Sequence, residues 1–179
     1  MQQANPFAEA RTAAISNTLP PNARLLVQVG AGDGALARHY HRSYPTTSLV
    51  VVEADTAAAQ RATSFAERVV QVQLESAGSA FYRHLQWADA WLFDGTLERL
   101  AEPARVLAGI RAVLNYDACV LACVSNPAAA TEADARHALD LAALQNLFSE
   151  AGFRLAATIA ISPGGTDTPS HFLIKAMPA

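Results

Sequence analysis

A glycine-rich segment followed one strand later by a carboxylate is the part of this sequence best suited to chemistry. Gly30, Gly32 and Gly34 follow one apolar run, and a second apolar run ends at Glu53. Because glycine has no Cβ, such a turn bends sharply and lets a ligand approach the backbone at the end of a strand. A carboxylate at the end of the next strand can accept hydrogen bonds from both hydroxyls of a ribose. The combination predicts a pocket for a cofactor that contains adenosine.

The glycine turn by itself leaves two kinds of cofactor open. Gly30, Gly32 and Ala35 form G-x-G-x-x-A, a dinucleotide fingerprint with Glu53 at a suitable distance. The same stretch also forms G-x-G-x-G, which ends at Gly34. Two simpler interpretations stand beside these: a tight strand-to-helix connection that binds no ligand, and a solvated carboxylate at the end of a strand.

Seven apolar segments, with helical segments between them, must position this turn. Strands covered on both faces are nearly continuous in apolar character, which predicts strands over 24–29, 48–53, 69–74, 88–93, 118–124, 154–161 and 171–177. Helices are predicted over 8–18, 33–43, 56–65 and 103–114, with a short one inside 76–86. A last helix is expected after a capping-box-like pair, Thr131 with Asp134, and should end at Gly152.

The connection between the last two predicted strands decides the topology of the sheet. Residues 162–170 read S-P-G-G-T-D-T-P-S, which is too short and too glycine-rich for a crossover helix, so these strands should pair antiparallel. The pattern predicts an α/β protein: a single-domain, Rossmann-like three-layer sandwich with a mostly parallel seven-stranded sheet and an antiparallel last strand. We expect one domain over 1–179, with 1–22 as a leading helix and linker.

The composition indicates a globular protein. Hydrophobic residues make up 51% and charged residues 16%, and 13 basic and 16 acidic side chains give a net charge of -3. The chain has no Lys/Arg cluster, no apolar run near the roughly 20 residues of a membrane span, and no secretory signal, so we expect a cytoplasmic protein that binds neither nucleic acid nor membrane. Cys119 and Cys123 are expected to be buried free thiols, and no metal site is predicted.

From about residue 25 to residue 175 the sequence resembles the class I S-adenosylmethionine-dependent methyltransferases. V-Q-V-G-A-G-D-G resembles their first motif and L-V-V-V-E-A-D their ribose-binding second strand. W-L-F-D-G-T-L-E-R-L is similar to their fourth strand and the L-E-H-L segment after it, and S-E-A-G-F-R-L to the approach to their sixth strand. The antiparallel final pair matches the closing hairpin of the family, whereas a nicotinamide domain would continue with another parallel unit. The resemblance implies S-adenosylmethionine as cofactor and methyl transfer to a small-molecule or protein acceptor that the sequence does not identify.

The resemblance also implies which residues hold the cofactor. Gly30 and Gly32 would approach its methionine and ribose, and Glu53 would bind the ribose diol. Ala54 would touch the adenine with Leu74 or Glu75 at its border, and Asp94 would lie near the methionine end. The full set implied in this way comprises Gln28, Gly30, Ala31, Gly32, Glu53, Ala54, Leu74, Glu75 and Asp94.

Two positions depart from the family pattern. Gln28 stands where the family has Asp or Glu, whose carboxylate helps to hold the ammonium group of the cofactor; an amide oxygen still accepts a hydrogen bond but without charge assistance. Arg99 replaces the histidine of the L-E-H-L segment. No general base is predicted, and methyl transfer can proceed largely by positioning. His171 begins the last strand, near a loop that could border the mouth of the site, but the sequence assigns it no catalytic role.

Two further hypotheses concern function. Three features favour, as the second hypothesis, a methyltransferase-like binding or scaffolding module without catalysis: Gln28, the lack of a long insertion that could form a lid, and the lack of a recognisable acceptor motif. An NAD(P)-dependent oxidoreductase is the third. The aromatic residues around the fourth strand are interpreted mostly as core rather than as an acceptor pocket: Tyr82, Trp87, Trp91 and Phe93.

Overall fold

A computed structural model describes residues 6–129, 139–162 and 168–179, which form seven strands and six α-helices. The strands are β1 Leu25–Val29, β2 Ser48–Glu53, β3 Arg68–Gln71, β4 Ala90–Asp94, β5 Cys119–Ser125, β6 Phe153–Ile161 and β7 His171–Pro178. The helices are α1 Pro6–Thr18, α2 Ala35–Ser43, α3 Thr56–Ala62, α4 Ser79–Arg83, α5 Pro103–Arg111 and α6 Leu141–Glu150. Two short 3-10 helices, Leu74–Ser76 and Leu97–Arg99, follow β3 and β4.

All seven strands belong to one sheet with the order β3-β2-β1-β4-β5-β7-β6. The strands from β1 to β5 pair in parallel, whereas β7 runs antiparallel to both β5 and β6. The predicted antiparallel end of the sheet is therefore confirmed. The parallel connections place the carboxyl ends of β1, β2, β4 and β5 at the same edge, where a pocket forms.

Helices cover both faces of this sheet and make it a three-layer α/β sandwich, as predicted. The face covered by α1, α2 and α3 buries a cluster that includes Ile15, Tyr40 and Leu92. The opposite face packs against α4, α5 and α6 around Trp91 and Phe148. Because both faces are covered, the central strands have few exposed side chains, which explains their continuous apolar sequence.

Some details differ from the sequence predictions. Leu74 lies in a 3-10 helix and not in β3, because β3 ends at Gln71, where its pairing with Glu53 of β2 ends. Trp87 is 64% exposed and is not a core residue, since it lies in the turn before β4. The other three aromatic side chains of that group are buried, as predicted.

Two predictions concern the end of the chain and the cysteines. The Thr131–Asp134 pair lies outside the described residues. The helix predicted to end at Gly152 is α6, which follows Asp140, and the Asp140 side chain accepts a hydrogen bond from the Ala143 backbone N–H at 2.7 Å. Cys119 and Cys123 are buried free thiols, as predicted. Burial raises the pKa of each thiol to about 11, so both stay protonated at neutral pH. Among the described residues, no helix combines the length and apolar character that a membrane crossing requires.

Candidate functional site

The turn after β1 has the backbone conformation that its glycines predict. Gly30, Gly32 and Gly34 all have positive φ, at 86°, 56° and 76°. A Cβ at Gly30 would lie 2.6 Å from Cγ2 of Thr96, and one at Gly34 would lie 2.5 Å from the ring of Phe65. At Gly32 the nearest atom would be Nε2 of Gln28, at 3.9 Å. The turn is thus tightly packed at its two ends and open above Gly32.

The open space above Gly32 is a cavity of about 440 Å³ at the carboxyl ends of β1, β2 and β4. It brings together six of the nine cofactor-binding residues that the resemblance implied, and α1 and the segment after β4 complete its walls. The six are Gln28, Gly30, Ala31, Gly32, Glu53 and Asp94. The described residues contain no group of three or more His, Cys, Asp or Glu side chains placed to hold a metal ion.

Gln28 is built into this turn and still offers one free acceptor. Its side chain is 5% exposed, and its Nε2 donates hydrogen bonds to the carbonyl oxygens of Gly30 at 2.9 Å and Ala31 at 3.4 Å. The amide therefore holds the glycine turn in place. Its Oε1 is buried and has no hydrogen-bond partner. Because a buried unpaired acceptor is costly, an N–H or O–H donor of a bound ligand would be favoured at this position.

Glu53 lies across the turn from β2. Its Oε2 accepts a hydrogen bond from the Ala31 N–H at 2.8 Å, and its Oε1 accepts from Ala54 and Asp55 at 2.8 and 3.0 Å. A carboxylate oxygen has two lone pairs, so Oε2 keeps one for a hydroxyl group in the cavity. Three backbone donors thus fix the carboxylate where the resemblance implied a ribose.

The opposite wall contains an ion pair that the sequence did not reveal. Arg11 of α1 pairs with Asp94 at the end of β4, with 2.5 Å between Nη2 and Oδ1. Its Nε is buried without a partner. Burial raises the pKa of Asp94, and Arg11 offsets only part of that effect. Burial would lower the pKa of Arg11, but Asp94 and Cys123 outweigh it and raise the pKa above its ordinary value. Arg11 is therefore cationic at neutral pH.

The segment after β4 forms the remaining wall. Thr96 donates a hydrogen bond from Oγ1 to the Val29 carbonyl oxygen at 3.0 Å, which sets its methyl group against Gly30. Arg99, which stands where the family has histidine, is exposed and also lines the cavity. The cavity therefore contains two guanidinium groups, from Arg11 and Arg99, that can face an anionic group.

Three of the implied residues do not line the cavity. Ala54 is exposed next to Glu53. Leu74 is buried in the core on the side of α4, α5 and α6. Glu75 accepts a hydrogen bond from the Ala101 N–H at 3.1 Å. An adenine border built by Leu74 or Glu75 thus stays a prediction.

Sequence reasoning missed five cavity residues that are far along the chain from the glycine turn: Ala8, Arg11 and Thr12 of α1, with Thr96 and Arg99. Arg11 and Asp94 are separated by 83 positions. Residues 8, 11 and 12 share one face of a helix by their spacing, and this is the only signal in the sequence. It does not indicate that this face crosses the carboxyl edge of the sheet.

Comparison with known proteins identifies the fold. No protein-family model matches the chain, and no curated protein sequence does so either. Among solved structures, the N-methyltransferase NodS from Bradyrhizobium japonicum WM9 is similar over 98% of both chains, with 11% identity and a TM-score of 0.74. An S-adenosylmethionine-dependent methyltransferase from Mesorhizobium loti matches over 94% of this chain and 97% of its own, with 14% identity and a TM-score of 0.75.

The mitomycin 7-O-methyltransferase MmcR is similar over 97% of this chain, with 16% identity and a TM-score of 0.71, but this chain spans only 54% of MmcR. At these identities the similarity concerns the fold. The sheet order, the glycine turn and the antiparallel end of the sheet agree with it. The chain therefore has the fold of the class I S-adenosylmethionine-dependent methyltransferases.

Proposed function

We propose that this protein binds S-adenosylmethionine in the cavity above Gly32 and transfers its methyl group to an acceptor. One observation carries the proposal: Gln28, whose buried Oε1 has no partner, lines the cavity beside the open backbone of Gly32. The resemblance implies that the ammonium group of the cofactor is held at this position. The fold and the position of Glu53 support the same assignment.

The polar groups of the cavity complement this cofactor. Oε1 of Gln28 would accept a hydrogen bond from the ammonium group, and the free lone pair of Glu53 Oε2 would accept one from a ribose hydroxyl. The unpartnered Nε of Arg11 would donate to the carboxylate of the methionine part. Two acceptors and one cationic donor thus match an amino acid and a diol, and the charge lost at Gln28 is offset in part by Asp94 nearby.

When bound, the cofactor supplies an electrophilic methyl group on a sulfonium. The residues of this chain orient it and limit access by water. The leading helix α1 contributes to this, because Ala8, Arg11 and Thr12 line the cavity. The sequence predicted little chain for a lid, but α1 covers part of the carboxyl edge and is tied to the sheet by the Arg11–Asp94 pair. This cover weakens one of the three reasons for a module without catalysis.

Isothermal titration of the purified protein with S-adenosylmethionine, S-adenosylhomocysteine and NADH tests the proposal. We expect saturable binding of the first two with a Kd below about 1 mM, and none of NADH. No heat from the first two ligands at millimolar concentration contradicts the cofactor assignment, and tight NADH binding favours the oxidoreductase hypothesis. Methylation of an acceptor by protein that binds S-adenosylmethionine excludes the scaffolding hypothesis.

A further inference from the structure

Arg99 is a cationic side chain at the cavity that has no partner in the described part of the chain. It ends the 3-10 helix Leu97–Arg99 after β4, is exposed and lines the cavity. Within the described residues, its guanidinium group forms neither an ion pair nor a hydrogen bond. Arginine stays protonated in proteins and has five N–H donors, so this position presents a positive charge with unused donors.

The charged side chains near Arg99 in the sequence are engaged elsewhere. Residues 94–105 contain five charged side chains, and Arg99 is one of them. The other four have partners within the described protein: Asp94 with Arg11, Glu98 with Ser125, and Glu102 with Arg105. None of these three carboxylates contacts Arg99 in the structure. The guanidinium group is therefore available to solvent or to a ligand.

The backbone that carries Arg99 is held firmly at the cavity. Leu97 is fully buried in the core, and the Thr96 hydroxyl donates a hydrogen bond to the last carbonyl oxygen of β1. Glu98 accepts a hydrogen bond from the last N–H of β5 at 3.3 Å. The Arg99 N–H itself donates to the Thr96 carbonyl oxygen at 3.1 Å. Because the backbone is already ordered, only the side chain of Arg99 loses freedom when a ligand binds to it.

The charges that line the cavity are divided along the sheet. In the strand order β2-β1-β4, Glu53 ends β2 and Asp33 lies in the turn after β1, whereas Arg99 follows β4. Asp94, at the end of β4, is paired with Arg11. Among the described lining residues, the β4 side is therefore net positive and the β2 side negative. An anionic group is attracted to the β4 side and repelled by the carboxylates across the cavity.

Arg11 and Arg99 have different ligands in a methyl-transfer site. S-adenosylmethionine has one carboxylate, and the proposed function assigns it to the unpartnered Nε of Arg11, which is buried. Arg99 is exposed at the rim of the same cavity, where a second molecule enters. The second molecule of the reaction is the methyl acceptor.

We infer that Arg99 binds an anionic group of the methyl acceptor, so that the acceptors of this protein carry a carboxylate or a phosphate ester. This inference rests on the proposed function. A guanidinium group presents two parallel N–H groups to two oxygen atoms, a geometry that carboxylates and phosphates share. The histidine that the family has at this position is mostly neutral at pH 7 and has no such fork. The change to arginine therefore selects for charge in the acceptor.

NMR of the arginine Nε–H groups tests the inference in protein saturated with S-adenosylhomocysteine. The probes are inorganic phosphate, acetate and acetamide, and each signal is assigned by its loss in the Arg→Lys variant. We expect a saturable shift of the Arg99 signal with phosphate or acetate, the tighter of which identifies the group on the acceptor, and none with acetamide. Arg61 of α3, which is exposed and does not line the cavity, is the internal control. Equal responses at Arg99 and Arg61, or equal responses of Arg99 to acetate and acetamide, overturn the inference.

Two variants separate the acceptor from the cofactor. Arg99→Met should weaken binding of the tighter anion at least about fivefold, a modest factor because solvent screens an exposed pair. Arg99→Lys keeps the charge without the planar fork and should bind that anion with intermediate affinity. The Kd for S-adenosylhomocysteine should stay within about twofold of wild type in Arg99→Met. A loss of cofactor affinity by about tenfold or more assigns Arg99 to the cofactor and overturns the inference. Failure of wild type to bind S-adenosylhomocysteine refutes the proposed function, whereas loaded protein without an anion at Arg99 refutes this inference alone.

Discussion

Gly32→Ala tests the affinity of the pocket for a ligand separately from the stability of the turn that forms the pocket. The φ of 56° at this position disfavours a side chain, which costs about 1 to 2 kcal/mol in the left-handed region. A Cβ there has only Gln28 Nε2 near it, at 3.9 Å, so we expect no further steric cost. For a chain of this length, 1 to 2 kcal/mol lowers Tm by about 2 to 8 °C. The added methyl group projects into the cavity where a ligand would approach the backbone.

We expect Gly32→Ala to weaken the binding of S-adenosylhomocysteine in addition to lowering the stability of the fold. An unwanted methyl group in a packed site costs about 1 to 3 kcal/mol, so the Kd for S-adenosylhomocysteine should rise about 5- to 150-fold. Isothermal titration well below Tm measures this in protein that is fully folded. Affinity equal to that of wild type in folded Gly32→Ala refutes the assignment of the pocket.

Two other glycines provide matched controls. At Gly34, φ is 76° and a Cβ would lie 2.5 Å from Phe65, so Gly34→Ala should destabilise the fold by about 2 to 5 kcal/mol. Its methyl group points to Phe65 and not into the cavity, so the folded fraction should bind S-adenosylhomocysteine like wild type. At Gly78, no atom would lie within 4 Å of the Cβ, and Gly78→Ala should change stability by less than about 1 kcal/mol. A Gly34→Ala protein that folds normally but does not bind would contradict this separation.

Three further predictions concern polar side chains. Gln28→Glu should lower the free energy of unfolding by about 1 to 3 kcal/mol, because the donor to the Gly30 carbonyl is lost. The same change should tighten S-adenosylmethionine binding about fivefold, because the acceptor becomes charged. Thermal unfolding and isothermal titration measure the two effects, and Gln28→Met is the control that should lose stability without gaining affinity. Arg11→Met should raise the pKa of Asp94 further, measured by carbon-13 NMR of the carboxyl group, and weaken S-adenosylhomocysteine binding about tenfold; an unchanged Asp94 pKa contradicts the ion pair. Burial would raise the pKa of Asp89, but hydrogen bonds from Arg24 and the neighbouring backbone outweigh that effect and lower the pKa. The Asp89 carboxylate therefore stabilises the fold at pH values above its unfolded pKa of about 4. This stabilisation is lost as the pH falls through the lower pKa of the folded state. Asp89→Asn should therefore cost about 1 to 2 kcal/mol at pH 7 and almost nothing near pH 2; a deficit that is the same at both pH values refutes the role of charge.

The local parts of the site could be predicted from the sequence, and its distant parts could not. Gly30, Gly32, Gln28 and Glu53 lie at the ends of two paired parallel strands, so their proximity follows once the strands are recognised. The pairing of β6 with β7 follows from the short, glycine-rich connection between them. Arg11 instead reaches the cavity because α1 packs on β6 and β7, and no local pattern encodes that contact.

Leu74 shows why the predicted end of the third strand was wrong, and Trp87 is the exception among four aromatic residues of which most were predicted to be core. V-V-Q-V-Q-L alternates as a strand should, but β3 is at the edge of the sheet and its partner β2 ends at Glu53, so the pairing stops before Leu74. Trp87 precedes β4 by three residues and lies in a turn at the amino edge of the sheet, where it is mostly exposed. In both cases tertiary packing decides the outcome against hydrophobicity alone.

A crystal structure of the protein with S-adenosylhomocysteine tests the central claim most directly. We expect the ligand in the cavity above Gly32, with its ammonium group within hydrogen-bond distance of Gln28 Oε1 and its ribose next to Glu53. The carboxylate of the ligand should contact Arg11. Ligand density at any other place on the chain, or a cavity without ligand in crystals grown at saturating concentration, would contradict the assignment.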